Sequence, residues 1–202
     1  MVYHTVVRAV SAARRLLFPE LPQGWLLHLS DTPSTTFRFL RRLLHRTHPA
    51  VIVHTGDLVD DIKLELRPRE RGPYARQLAR LLPLLESSGA EVHLTLGNHD
   101  HEETVRSLCS RAQVHLREVT LVWGGGILRG AHWAEVALAA PASCYLFGHD
   151  LSRKSSAPGD PVRLLNGLQH IHLISPSGAE VLKLRWPWGT EDARLLRHRC
   201  GI

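Results

Sequence analysis

The sequence has no long hydrophobic run and few cysteines. No apolar stretch approaches the roughly 20 residues that a helix needs to cross a bilayer, and the first residues lack an apolar segment with a small-residue cleavage site. The three cysteines, Cys109, Cys144 and Cys200, form neither a C-x-x-C pair nor an even set for disulfides. We therefore expect no membrane span, no disulfide framework and a cytoplasmic location.

The sequence also lacks a dense block of basic residues. Its formal net charge of +6 comes largely from arginines scattered through predicted helices and loops. This balance favours an anionic substrate without naming one. Nucleic acid is an alternative partner that the scattered pattern does not favour, and solvated helix faces account for many of the arginines.

A length of 202 residues suits one domain with a core of its own, and no repeat or low-complexity tract divides the chain. We predict an extension over residues 1–23 and a single domain over residues 24–202. Apolar residues recur at helical spacing in the extension: Val6, Val10, Ala13 and Leu17. They predict an amphipathic helix that packs on the domain or on a partner subunit, with a membrane-surface or targeting element as the alternative. A homo-oligomer is therefore one option.

From Gly24 onward, apolar runs alternate with helical patterns. Runs at residues 25–29, 51–53 and 92–96 predict strands, and helices are predicted after Ser34 and Pro73. Pro83 should kink the second helix or mark its last turn. Short strands are predicted later in the chain at residues 119–123, 126–129, 145–147, 162–165, 171–174 and 181–186. A parallel first half and a hairpin-rich second half predict an α/β fold with two sheets packed face to face and helices outside.

Each of the first three predicted strands is followed by an acidic or metal-binding cluster. Asp31 follows the first strand, Asp57 the second, and the run Asn98-His99-Asp100 the third. The carboxyl ends of parallel strands lie along one edge of a sheet, where open α/β sheets bind their ligands. One such residue would usually be a helix cap, but three in succession predict a common site.

Two histidines of the second half extend this set. His132 lies in the run R-G-A-H-W, and His149 follows a predicted strand and a glycine in L-F-G-H-D. Carboxylate, amide and imidazole groups together suit Mn²⁺, Fe²⁺, Zn²⁺ or a similar ion. A lone histidine such as His132 is more often a satisfied core residue, so His149 is the stronger candidate.

Three segments, in this order, resemble the signature of the calcineurin-like metallophosphoesterases: Gly56 to Asp60 (G-D-L-V-D), Gly97 to Asp100 (G-N-H-D) and Gly148-His149. The resemblance extends from about Trp25 onward. It implies a four-layer α/β/β/α sandwich of two mixed sheets. It also implies hydrolysis of phosphomonoesters or phosphodiesters by a metal-activated hydroxide at a two-metal centre.

The resemblance implies a role for each matched residue. The metal ligands would be Asp31, Asp57, Asn98, His132 and His149. Of these, Asp57 would bridge two ions, Asp31 would bind the first ion, and the remaining three would bind the second. His99 would contact the phosphate and assist the leaving group, with Asp100 orienting it, and Asp60 would brace the loop.

The chain departs from the signature at both ends. The family motif D-x-H is Asp31-Thr-Pro33 here, and G-H-x-H ends in Leu151. Both missing imidazoles would bind the first ion, so we expect one tight and one weak site. An oxygen-rich weak site favours Mn²⁺, with Fe²⁺, Zn²⁺ and Mg²⁺ as alternatives. Three residues are alternative ligands for the gap: His28, His101 and Asp150.

A charged loop from Asp61 to Gly72 follows the second cluster. Its Arg67, Arg69 and Arg71 are candidate substrate-binding residues, because guanidinium groups bind phosphate with two hydrogen bonds. The predicted function is metal-dependent hydrolysis of an anionic, phosphorylated substrate. The alternatives are a degenerate phosphoesterase that binds a phosphorylated ligand or partner without turnover, and a nuclease of the same fold.

Overall fold

A computed structural model describes residues 8–10, 21–157, 160 and 162–199. The strands in this part of the chain are β1 (Arg8–Val10), β2 (Leu26–Leu29), β3 (Val51–Thr55), β4 (Glu91–Thr95), β5 (Gln113–His115), β6 (Glu118–Trp123), β7 (Gly126–Ala131), β8 (Cys144–Phe147), β9 (Arg163–Asn166), β10 (His170–Ile174) and β11 (Val181–Arg185). The α-helices are α1 (Phe37–Thr47), α2 (Arg71–Glu86), α3 (Glu102–Leu108), α4 (Ala134–Ala137) and α5 (Thr190–Arg199). Among the described residues, no helix is both long and apolar enough to span a membrane.

The strands form two mixed sheets. The larger sheet has the order β1-β11-β10-β2-β3-β4-β5, in which β2 to β5 are parallel and β10 is antiparallel to both of its neighbours. The smaller sheet has the order β6-β7-β8-β9, with β6 antiparallel to β7 and the other pairs parallel. The predicted α/β class with two mixed sheets is confirmed.

Apolar side chains bury both faces of the larger sheet. Leu40 of α1 and Leu78 of α2 belong to one buried cluster with Ile52 of β3, so these helices cover the outer face. Val53, the next residue of β3, belongs instead to a cluster with Leu128 of the smaller sheet. Successive strand side chains point to opposite faces, so the second cluster lies between the two sheets.

The helical layer outside the smaller sheet is thin. The four-residue helix α4 packs on the smaller sheet through Ala137, which clusters with Tyr145. Pro83 lies in the last turn of α2, as predicted, because a proline there removes one backbone donor without interrupting the preceding turns.

The predicted N-terminal helix is wrong where the structure describes it. Arg8 and Val10 form strand β1, which pairs in parallel with Leu182 and Leu184 of β11. The helical spacing of apolar residues did not decide the conformation here. Strand β11, which is distant in the sequence, supplies the backbone hydrogen-bond partners that make this segment an edge strand. The other residues behind that prediction, Val6, Ala13 and Leu17, lie outside the described residues.

Glu86 at the end of α2 anchors the segment before β5. Its Oε1 accepts hydrogen bonds from the backbone N–H groups of Ser110, Arg111 and Ala112 at 2.9, 2.8 and 2.9 Å. Burial raises the pKa of Glu86, but the three hydrogen bonds outweigh burial and hold the pKa below its ordinary value of 4.5. The charged carboxylate is therefore the form that stabilises the fold.

We expect Glu86→Gln to lower the free energy of unfolding near neutral pH by about 1–3 kcal/mol, the range for charged hydrogen bonds. A group with a lowered pKa stabilises the fold above its unfolded pKa, and this stabilisation is lost as the pH falls. The difference between wild type and Glu86→Gln should therefore shrink below the ordinary pKa of 4.5. Urea unfolding at neutral and acidic pH measures it, and a difference independent of pH would contradict the assignment.

Candidate metal centre

Five predicted ligands lie just beyond the carboxyl ends of strands. Asp31 and Asp57 come two residues after β2 and β3, and Asn98 comes three residues after β4. These strands are adjacent and parallel, so the three residues lie at one sheet edge. His132 directly follows β7 and His149 follows β8 by two residues, at the corresponding edge of the smaller sheet. The structure brings all five together.

The backbone of the ligand loops is strained. Four non-glycine residues in the described part of the chain have positive φ, and three of them are candidate ligands: Asp31 at 50°, Asp57 at 52° and His149 at 62°. Non-glycine residues rarely adopt this left-handed conformation. Such strain is typical of ligand-binding loops, where the surrounding structure holds side chains in one orientation.

Glycines let the ligand loops approach each other closely. A Cβ atom on Gly97 would lie 2.2 Å from Asp57 Oδ1. A Cβ atom on Gly148 would lie 2.0 Å from Ser30 Oγ and 2.2 Å from Asp31 Oδ2. Neither position can take a side chain without moving a carboxylate.

We expect Gly148→Ala to weaken Mn²⁺ binding at least tenfold, because the new methyl group displaces the Asp31 carboxylate. Overpacking of this kind should also cost about 1–3 kcal/mol of stability. The matched control is Gly72→Ala, since the nearest atom to a Cβ there is Arg76 Nη1 at 3.7 Å. Calorimetric titration with Mn²⁺ measures both affinities, and an unchanged affinity in Gly148→Ala would contradict the packing described here.

Hydrogen bonds fix how Asn98 and His132 face the site. Asn98 Nδ2 lies 2.5 Å from Glu65 Oε2, an atom that can only accept, so the amide oxygen faces inward. His132 Nδ1 lies 2.9 Å from the Thr55 carbonyl oxygen and must donate to it. In the neutral ring, Nε2 is then a lone-pair atom.

Acceptor atoms therefore meet at one point. His132 Nε2 lies 3.1 Å from Asn98 Oδ1, 3.1 Å from His149 Nδ1 and 3.7 Å from Asp57 Oδ2. Asp31, Asp57 and His132 each offer a ligand atom, and these atoms lie within 4.8 Å of one another. Lone pairs and carboxylates that converge in this way could hold a divalent cation, and the hydrogen bond to Thr55 turns the His132 lone pair towards them.

Electrostatics favour a cation at the same point. Burial, followed by the charges of Asp31, Asp100 and Asp60, raises the pKa of Asp57 well above its ordinary value. Burial and the charge of Asp31 raise the pKa of Asp60 to about 7. Crowded buried carboxylates repel one another, and a bound cation removes that repulsion.

Asp100 ties two ligand loops together. Its carboxylate accepts hydrogen bonds from the backbone N–H groups of Asp57, Leu58 and Gly97 and from the Tyr74 hydroxyl, at 2.8 to 2.9 Å. The resemblance implied that Asp100 orients His99. Among the described contacts, Asp100 instead orients the backbone around Asp57 and shows no hydrogen bond to the imidazole.

His99 lies at the edge of the acceptor cluster. Its backbone N–H donates to Asp57 Oδ1 at 3.0 Å, and its Nε2 is 3.9 Å from Asp57 Oδ2. Burial, followed by the positive charge of Lys63, lowers the pKa of the His99 imidazole to about 4. The ring is therefore neutral near neutral pH and offers one N–H donor and one lone pair.

The calcineurin-like phosphoesterase family model matches residues 24–198. The chain belongs to this family. One crystal structure with 9% sequence identity covers 81% of this chain and 99% of its own, with a TM-score of 0.53, which supports the fold alone. The solution NMR structure of Thermotoga maritima protein TM1076 is 19% identical and covers 78% of this chain and 95% of its own, with a TM-score of 0.42. No curated protein matches the chain in sequence.

The alternative ligands for the imidazoles missing from the family signature have other partners. His28 contacts His172 Nδ1 at 3.1 Å and Thr55 Oγ1 at 2.9 Å between the sheets. His101 accepts from the Thr104 backbone at the start of α3. Asp150 is exposed and accepts from Ser152. The described contacts bring none of the three to Asp31.

The loop after β3 contacts the candidate site, but the described contacts are made by residues other than its three arginines. Arg67 Nη1 lies 3.4 Å from Glu70 within the loop, and Arg69 and Arg71 are exposed. Lys63 and Glu65 contact Asp60 and Asn98 instead. The role proposed for the three arginines in substrate binding therefore has no contact in the described site to support it.

Arg194 of α5 is a buried positively charged residue that contacts the loop of the candidate site. The sequence pattern did not identify it. Its Nε donates to the Asp31 carbonyl oxygen at 2.8 Å and lies 3.9 Å from Asp60 Oδ2. Its Nη1 donates to the Leu168 carbonyl oxygen, and the guanidinium stacks on Trp186 at 4.9 Å. It fixes the backbone of the loop that carries Asp31.

Proposed function

We propose that this member of the family hydrolyses phosphate esters with the help of a divalent cation. One observation carries the proposal: the lone pair of His132 Nε2 lies 3.1 Å from Asn98 Oδ1 and 3.7 Å from Asp57 Oδ2. Together with His149 and Asp31, these residues would hold the ion. When bound, such an ion neutralises charge on the phosphoryl oxygens and lowers the pKa of a water molecule.

The protein's own groups would position the reacting ester. The neutral His99 imidazole, whose Nε2 lies 3.9 Å from Asp57 Oδ2, would donate a hydrogen bond to the departing oxygen. Asp100 and Tyr74 hold the backbone of the Asp57 loop, so the ligands need little rearrangement during the reaction. Pre-organisation of this kind is the main contribution that a protein makes to phosphoryl chemistry at metal sites.

We propose Mn²⁺ as the ion, with Fe²⁺, Zn²⁺ and Mg²⁺ as alternatives. The retained set has two imidazoles and three oxygen donors, a mixed shell that Mn²⁺ accepts readily. Zn²⁺ would draw more strongly on the two imidazoles that Pro33 and Leu151 replace. The substrate is a phosphorylated anion, either a monoester or a diester.

Hydrolysis of p-nitrophenyl phosphate and bis(p-nitrophenyl) phosphate by Mn²⁺-loaded protein tests this proposal. We expect turnover of at least one ester, and we expect His99→Ala to keep its ion while its kcat falls about 100-fold, as for the loss of a general acid or hydrogen-bond donor. His45→Ala, on the exposed side of α1, is the control. Loaded protein that hydrolyses neither ester would favour a degenerate phosphoesterase, and loss of the ion from His99→Ala would refute the role given to His99.

A further inference from the structure

The site has a cation of its own in the loop after β3. Lys63 lies three residues beyond Asp60, and its ammonium group pairs with Asp60 Oδ1. The Asp60 side chain is 2% exposed, whereas the Lys63 side chain is 17% exposed. The ammonium group therefore lies at the boundary between the buried carboxylates and solvent.

The segment that leads to Lys63 also contacts the loop that carries Asp31. The backbone N–H of Asp60 donates to the Thr32 carbonyl oxygen at 3.0 Å, and the backbone N–H of Ser34 donates to Asp61 Oδ1 at 2.8 Å. Two residues after Lys63, Glu65 contacts Asn98 at 2.5 Å. Residues 63–65 therefore lie at the solvent-facing edge of the proposed metal centre.

The two protein cations next to Asp60 differ in what they can bind. The Arg194 side chain is 4% exposed, and its described hydrogen bonds go to backbone carbonyl oxygens and to Glu191. An ammonium group has three N–H donors, and the described contacts of Lys63 use only Asp60 Oδ1. Lys63 can therefore also donate to an anionic oxygen, whereas Arg194 holds the loop.

We propose that Lys63 binds the phosphoryl group of the substrate and supplies positive charge on the side where the first-ion imidazoles are missing. This proposal rests on the proposed function and names a residue outside the family signature. Pro33 and Leu151 occupy the positions of those imidazoles, so neutralisation by metal ions would be incomplete there. A fixed ammonium group compensates without a second tightly bound ion.

Binding of inorganic phosphate to Mn²⁺-loaded protein, measured by calorimetry, tests this role directly. Lys63→Gln retains a hydrogen-bond donor for Asp60 but removes the charge. We expect it to weaken phosphate binding about tenfold or more, the loss expected for a charged hydrogen bond. Lys63→Arg should stay within about threefold of wild type by the same reasoning. Arg41→Gln removes one charge from the exposed face of α1 and should bind phosphate like wild type.

The same variants separate substrate binding from loop anchoring. In the ester assay we expect Lys63→Gln to raise KM more for the dianionic monoester than for the monoanionic diester, with bound Mn²⁺ unchanged. If Lys63→Gln unfolds at lower temperature but binds phosphate like wild type, Lys63 only anchors the loop and the proposal is overturned. Wild-type protein that binds no phosphate at millimolar concentration overturns it as well. Wild type that binds phosphate but hydrolyses neither ester refutes the proposed function, and the phosphate affinities still decide the role of Lys63.

Discussion

Asp57→Asn is expected to reduce ester hydrolysis by about 1,000-fold or more, because its carboxylate is the central charge of the proposed metal centre. Asp57 is buried, accepts a hydrogen bond from the His99 backbone at 3.0 Å, and faces His132 Nε2 at 3.7 Å. An amide has the same shape but lacks the negative charge. It would also turn an N–H donor towards the point where the other acceptors converge.

The same substitution should stabilise the metal-free fold. Burial and neighbouring carboxylates raise the pKa of Asp57 well above its ordinary value. A carboxyl group whose pKa is raised by folding destabilises the folded state increasingly as the pH rises above its ordinary pKa, so a neutral amide in its place removes this cost. Thermal unfolding of chelated wild type and Asp57→Asn checks this at neutral pH. Asp192→Asn, an exposed position on α5, is the control for both measurements. Near-normal hydrolysis by Asp57→Asn would contradict the assignment.

The purified protein is expected to retain one metal ion per chain after exhaustive dialysis and to bind a second ion only weakly. The tightly bound ion, the second of the family's pair, would have Asp57, Asn98, His132 and His149 as protein ligands, which converge in the structure. The weakly bound first ion would have only Asp31 and the shared Asp57. Activity should then rise with added Mn²⁺ well above the protein concentration. Elemental analysis and activity in the same dialysed samples measure both effects.

The double substitution Pro33→His with Leu151→His provides the complementary test. It restores the imidazoles of the family signature, which would bind the first ion, and we expect it to tighten that weakly bound ion at least tenfold. Leu151 is 53% exposed, so a larger polar side chain meets little resistance there. Pro33 has a φ of −72°, which histidine can adopt, although proline's restriction of the unfolded chain is lost. Two equally tight ions in the unmodified protein would contradict this account.

The strands and helices that the sequence predicted correctly are those with a strong local pattern of apolar residues. The first three parallel strands of the domain and helices α1 and α2 have clear apolar patterns. The strand bounds differ from the prediction by one or two residues, and α2 begins at Arg71, three residues before its predicted start after Pro73. The strand at Arg8–Val10 could not be predicted, because only its pairing with β11 makes it a strand. Helix α4 has one turn, too short for periodicity to reveal.

The residues of the site differ in the same way: some follow from the local sequence pattern, and others depend on contacts between segments that are distant in the sequence. Asp31 and Asp57 come two residues after neighbouring parallel strands, so their convergence was predictable from strand order, and His149 likewise comes two residues after a predicted strand. Lys63 and Arg194 reach the same site through the path of a loop and the docking of a distant helix. Sequence alone gives no measure of those paths, so it does not distinguish Lys63 from the arginines of the same loop as a candidate, and it does not identify Arg194.

The most direct test of the central claim is the rate of ester hydrolysis before chelation, after chelation and after addition of Mn²⁺. Wild-type protein should lose activity when elemental analysis shows no bound ion, and it should regain activity when Mn²⁺ is restored. Asp57→Asn should stay inactive in all three states, because it lacks the central ligand. Metal-free protein that hydrolyses the ester at the original rate would contradict a metal-dependent phosphoesterase.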